Sequence, residues 1–243
     1  MTAIKLQRSS DLANRIDYRK RQYPAFGDTD LIKFASSSRP KDCSDADHRE
    51  LKSHIIEEAA SSEAVFFGYG YFNEASQKFD ADRNRLFGFN TLLWQFQKFL
   101  TEKRTKGFVV IDRLDLSKKG VLSYKNGFDY LREKSQKGNE FDGTHRKLKN
   151  IIGFSMGCEG SSNLSCVNDV LTGSLRYVVN GKDPAVRATL QKELEKLMWS
   201  DAKGAFRNYG LKLHPKDKTR LEAGIVAEYD LLRKFLNTTS STS

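Results

Sequence analysis

Residues 106–120 read KGFVVIDRLDLSKKG, and this stretch decides the fold. Four apolar residues, Phe108 to Ile111, run without interruption into Asp112, and Asp115 follows three positions later. A short all-apolar run is the pattern of a strand buried on both faces of a sheet. Asp is common where strands give way to turns, so Asp112 has a plain reading as the point where the chain enters solvent. The alternative is a carboxylate held rigidly at the edge of a sheet, where open α/β sheets keep their ligands.

Upstream, residues 82–104 carry Leu86, Phe87, Phe89, Leu92, Leu93, Phe96, Phe99 and Leu100, whose spacing near 3.6 predicts a long helix with a wide apolar stripe. Before it, EAVFFGYGYF (63–72) is aromatic and β-rich and predicts a strand. Strand, helix and strand in that order predict a right-handed βαβ unit with parallel strands. SDADHRELKSHIIEEAA opens with capping residues and places Leu51, Ile55 and Ile56 on one helical face. Residues 1–40 are the least regular part, with one short strand expected within DTDLIKFASS.

Downstream, residues 101–150 hold thirteen Lys/Arg against seven acids, a solvated basic face with loops. KNIIGFSMG predicts a second short strand around Ile151–Ser155. Leu164, Val167, Val170, Leu171, Leu175 and Val178 then form a strong helical face that stops at Asn180-Gly181. A further helix starts with Asp183 as cap and Pro184 in its first position. One more helical stretch is expected near 219–236, and NTTSSTS reads as a disordered tail.

The composition suits one domain, or one domain with an appendage, in 243 residues. Forty-one Lys+Arg against 31 Asp+Glu leave a net charge of +10. A basic surface of that size favours polyanions such as nucleic acid, through phosphate neutralisation and counterion release. Cys43, Cys158 and Cys166 show no C-x-x-C spacing and do not combine with the four His in a zinc pattern, so three reduced thiols are expected. MTAIKLQRSS lacks the apolar core of a signal peptide, and no apolar run approaches a membrane span. A cytoplasmic protein without a membrane partner is the expectation.

Asp169 is the second informative carboxylate. In CVNDVLTGSLR it is flanked by Val167, Val170 and Leu171, and it shares one helical stripe with Ser165, Thr172, Gly173 and Arg176. Asp is a poor helix former, and its charge is costly to bury unless paired or metal-bound. Gly173, one turn later, also weakens the helix but lets another chain segment or a ligand approach closely. A salt bridge from Asp169 to Arg176 or Arg113 is the structural reading. The chemical reading brings Asp112 and Asp169 to one point, where two carboxylates need a cation or a shared proton. Hard oxygen ligands without Cys or His favour Mg²⁺ or Mn²⁺, and such ions on a basic surface suit phosphodiester cleavage.

GFVVIDRLD followed by LSCVNDVLTGSLRYVVNG resembles the RNase H-like family known as domain of unknown function 3800. Leu164, Asp169, Gly173, Leu175, Arg176, Asn180 and Gly181 fit that family's last helix in register, and Asp112 matches the Asp that ends its preceding strand. DLIKFASS, with Asp30 and Lys33, faintly matches a short earlier stretch of the family. The resemblance covers roughly residues 28–182 by order of elements. It implies an α/β fold with an RNase H-like mixed sheet flanked by helices and a metal site built on acidic residues. Relatives are bacterial and phage proteins, some near defence or mobile-element genes. The first strand of the family carries Asp-Glu-Ser, and this chain has no such motif. The expected organisation is an RNase H-like domain over 1–182, atypical in 1–40, a C-terminal helical extension over 183–236 and the tail at 237–243.

Two functional readings follow. In the first, the chain is a Mg²⁺/Mn²⁺-dependent nuclease. Asp112 and Asp169 are its catalytic metal ligands, Asp115 or Asp30 is a third carboxylate, and Arg113, Lys118, Lys119 and Arg176 hold phosphate. In the second, it is an inactive relative that binds nucleic acid or serves as an assembly subunit, with a protein partner or a second copy, and the acids are structural. A small-molecule enzyme of another α/β type lacks support, since there is no glycine-rich phosphate loop.

Overall fold

The computed structural model describes residues 1–71, 81–112, 124–141, 143–157, 162–202 and 209–214, with the single positions 204, 206, 226 and 230. The molecule is mixed α/β, with six helices and small sheets among these residues. It divides into two units. The first comprises Met1–Gly68, Gly160–Gly210 and Asp230–Ser243; the second comprises Tyr69–Glu159 and Leu211–Tyr229. The expected helix near 219–236 and the expected disordered tail lie outside the described residues, apart from positions 226 and 230.

The first unit is mainly helical. β1 (Thr2–Ala3) pairs antiparallel with β2 (Val65–Phe66). Around them stand α1 (Leu6–Arg21), α2 (Asp45–Ser61), α5 (Asn163–Asn180) and α6 (Pro184–Glu195). α2 begins where its sequence says it should: the Ser44 hydroxyl accepts the Asp47 N–H at 3.0 Å, and Asp45 and Asp47 sit in the first turn, where the helix dipole favours negative charge. Leu51, Ile55 and Ile56 on its inner face are wholly buried. α5 supplies Val167, Val170 and Leu171, equally buried, and packs against α1, α2 and α6. α6 starts as predicted, with the Asp183 carboxylate accepting the Ala185 and Val186 N–H groups at 2.9 and 3.2 Å.

α1 is a departure from the expectation of an irregular N-terminus. Its apolar signal is only Leu12 and Ile16, one turn apart and both fully buried, while Leu6 is exposed and the Lys5 side chain makes no cap. Ion pairs replace apolar contacts along its flank. Glu58 of α2, nearly buried, pairs with Arg15 at 3.0 Å and Arg19 at 2.8 Å. The short strand expected in DTDLIKFASS is also absent: this segment is loop that runs into a single 3₁₀ turn over Ser36–Ser38.

The second unit holds α3 (Ala81–Glu102) and α4 (Tyr124–Lys137) with six strands. These are β3 (Gly68–Tyr71), β4 (Gly107–Asp112), β5 (Asn139–Phe141), β6 (Thr144–Arg146), β7 (Ile151–Gly157) and β8 (Leu211–His214). α3 matches its predicted span and buries Leu93, Phe96 and Leu100. A polar cluster joins α3, α4 and β5. Tyr130 Oη donates to Asn90 Oδ1 at 2.7 Å, and Asn139 Nδ2 donates to the Asn90 carbonyl at 2.7 Å. Burial pushes the Tyr130 hydroxyl well above its ordinary pKa, keeping it protonated as this donor. α4 and the β5–β6 hairpin lie in the stretch read as basic loops.

The strand pairing corrects the βαβ expectation. β3 pairs with β8, while β4 pairs in parallel with β7, in the register Phe108↔Gly153, Val110↔Ser155 and Asp112↔Gly157. The parallel pair therefore closes across α4 and the hairpin, not across α3. Nor is β4 buried on both faces. Val109 is 6% exposed, but Phe108 is 54% and Val110 70% exposed. Among the described residues the strands form four two-stranded pairs.

Candidate functional site

Asp169 lies on the outward stripe of α5, with Ser165, Thr172 and Arg176, all exposed, while its apolar neighbours Val167, Val170 and Leu171 point inward. Its sequence neighbours therefore do not bury it. Asp169 Oδ2 accepts the backbone N–H of Phe34 at 2.7 Å. One turn on, Gly173 makes room for the same residue: a Cβ at 173 would come within 2.2 Å of Phe34 Cγ and 2.3 Å of Phe34 Cβ. The close approach that a glycine here implied is made by the chain itself.

Three further groups hold the loop that carries Phe34. Lys52 Nζ, largely buried, donates to the Phe34 carbonyl at 3.1 Å and stands 4.5 Å from the centre of its ring. His48 Nε2 donates to the Lys33 carbonyl at 3.0 Å, and Lys20 Nζ donates to the Asp28 carbonyl at 2.8 Å. A loop without strand partners must satisfy its backbone elsewhere, and here buried side chains of α1 and α2 do so. Burial lowers the pKa of both His48 and Lys52; the Lys52 cation lowers His48 further, and the Arg49 cation lowers Lys52 further. Burial also raises the Cys166 thiol to about 12, with Asp169 adding to the shift, so this thiol stays protonated.

Asp30 turns back on its own loop, Oδ2 accepting the Gly27 N–H at 2.7 Å. Arg176 is exposed and forms no ion pair with Asp169 among the described residues, where the Phe34 N–H takes the place expected for an arginine. Asp112 is the last residue of β4 and its backbone pairs with Gly157. Arg113, Asp115, Lys118 and Lys119 lie outside the described residues. Asp112 belongs to the second unit and Asp30 and Asp169 to the first. Among the described residues no three His, Cys, Asp or Glu side chains converge as a metal site. Asp30 and Asp169 each give one carboxylate oxygen to a backbone N–H.

Features that sequence reading missed lie on the β4–β7 pair. Lys106 and Lys149 directly precede Gly107 and Asn150, which are joined by the Gly107 N–H to Asn150 carbonyl bond at 2.9 Å. Both lysines and Arg104 are exposed and form no ion pair among the described residues. Phe108 lies over the neighbouring strand, where a Cβ on Gly153 would meet its Cε2 at 2.6 Å. The first unit holds a cleft lined by Tyr23, Asp42, Cys43, Asp47, Glu50 and His54, with no lysine or arginine among its described lining residues. Polyanions suit the former surface and not the latter. No protein-family model, curated protein or solved structure matches the chain, and no described helix is long and apolar enough to cross a membrane.

Proposed function

We propose that this chain is a nucleic-acid-binding protein of the cytoplasm, built on an RNase H-like plan. The observation that supports this reading best is the conjunction of a +10 chain with exposed cations at one end of a parallel strand pair that form no ion pair among the described residues. Free lysines and arginines release condensed counterions from phosphates, which drives association without sequence preference. The RNase H-like plan rests on the resemblance of residues 107–115 and 164–181, and the parallel β4–β7 pair is compatible with it. The test is a binding isotherm against labelled DNA and RNA at several salt concentrations. An affinity that does not fall as salt rises would remove the reading.

A second reading, metal-dependent hydrolysis of phosphodiester bonds, is favoured by one observation: Asp112 stands at the carboxyl end of a strand paired in parallel. The same oligonucleotides incubated with Mg²⁺ and then Mn²⁺ test it. Cleavage by the wild type that Asp112→Asn abolishes supports a nuclease. Cleavage that survives that change, or none at all, leaves the protein a binding or assembly subunit.

A further inference from the structure

The β4–β7 face shows more than a basic end. Parallel strands are ordinarily covered on both faces, so apolar side chains left facing water on such a pair call for an occupant. Here the outward residues of β4 are Phe108 and Val110, more than half exposed, and the register sets them against Gly153 and Ser155 of β7. The small residues opposite leave the Phe108 ring uncovered, reaching across the glycine instead of being walled in by a second large side chain. An exposed ring over small residues, on strands headed by cations that form no ion pair among the described residues, combines the two elements that single-stranded nucleic acid requires. Those elements are a π face for an unpaired base and positive charge for the backbone.

We propose that the outer face of β4–β7 is a binding surface for single-stranded nucleic acid, with Phe108 stacking on a base, Val110 extending the apolar contact, and Arg104, Lys106 and Lys149 holding the flanking phosphates. The proposal rests on the nucleic-acid reading above and narrows it to strandedness and to a place. A duplex offers its phosphates to the cations, but its bases are already stacked on one another and leave Phe108 without a partner. A protein partner would cover the apolar residues equally well but leaves the positive charge of Arg104, Lys106 and Lys149 unexplained, so charge complementarity selects the polyanion.

The test is fluorescence anisotropy of labelled oligothymidine, oligouridine and a mixed-sequence DNA duplex, with wild type, Phe108→Ala, Phe108→Tyr and Lys106→Ala/Lys149→Ala. Wild type is expected to bind both single strands more tightly than duplex. Phe108→Ala is expected to weaken single-strand binding on the order of tenfold and to leave duplex binding unchanged, with Phe108→Tyr retaining most of the affinity. The lysine double variant is expected to weaken all three. Because Phe108 is more than half exposed, Phe108→Ala should keep the far-UV circular-dichroism spectrum of wild type and a cooperative melt, separating lost stacking from lost folding. Unchanged single-strand binding in Phe108→Ala overturns the stacking surface while leaving the nucleic-acid reading intact. Wild type that binds none of the three probes overturns both. Sedimentation of the same samples supplies the last outcome: self-association that Phe108→Ala dissolves, without single-strand binding, assigns the face to a second copy and overturns the proposal.

Discussion

Asp169 Oδ2 accepts the Phe34 backbone N–H at 2.7 Å across 135 residues of chain. This bond ties the loop after α1 to the outward face of α5, and it gives an aspartate in a helix a structural occupation. Together with Lys20, His48 and Lys52 it satisfies the backbone of a segment that forms neither helix nor strand.

Removing that carboxylate tests the occupation. Asp169→Ala is expected to destabilise the fold by about 1–2 kcal/mol, because a charge-assisted bond to a backbone N–H is lost. Asp169→Asn keeps an acceptor and should cost less. Urea unfolding midpoints of the two variants decide it; equal stability to wild type would mean the bond contributes nothing.

Gly173→Ala inverts a usual rule. In an exposed helix interior this change stabilises by about 1 kcal/mol. Here the added methyl would overlap Phe34 Cβ and Cγ, atoms close to the backbone that cannot swing aside. Overpacking of this kind costs about 1–3 kcal/mol, so a lowered melting temperature is expected, whereas a raised one would place the Phe34 ring elsewhere.

His48 sets an acid limit. Burial lowers its pKa below the ordinary 6.5, and Lys52 adds to the shift. The unfolded chain therefore takes up a proton at a pH where the folded chain does not. By linkage, stability is unaffected above that value, declines as pH falls through 6.5, and levels off below the folded pKa. Unfolding midpoints measured from about pH 7.5 down to about pH 5.5 should show this decline. His48→Gln retains a donor for the Lys33 carbonyl and is expected to flatten that part of the profile.

The lysines at the head of β4 and β7 predict a salt signature. If Lys106 and Lys149 each meet a phosphate, every single Lys→Ala change should reduce the slope of log affinity against log salt by roughly one, uniformly across sequences. Isotherms at four or more salt concentrations check it, and an unaltered slope in both variants would place the phosphates elsewhere.

Local and short-range signals were enough for much of the architecture. Ser44 and Asp183 announced helix starts, the 3.6 spacing of Leu93, Phe96 and Leu100 announced α3, and the apolar runs at 108–111 and 151–155 announced the two strands that pair in parallel. α1 escaped notice because Leu12 and Ile16 are a sparse stripe, and much of what holds its flank is the ion pairing of Arg15 and Arg19 with Glu58, a partner more than thirty-five residues away.

By itself the sequence determined composition, charge, the main helices and the strand ending in Asp112, since these depend on propensities and periods carried by neighbouring residues. Only the tertiary structure decided what Asp169 touches, which strand β4 joins and which of its faces meets water. Those outcomes depend on contacts between distant segments. A glycine at 173 signals that something comes close, but not that it is Phe34; an apolar Phe108 signals burial, and only the register against Gly153 leaves its ring in the open.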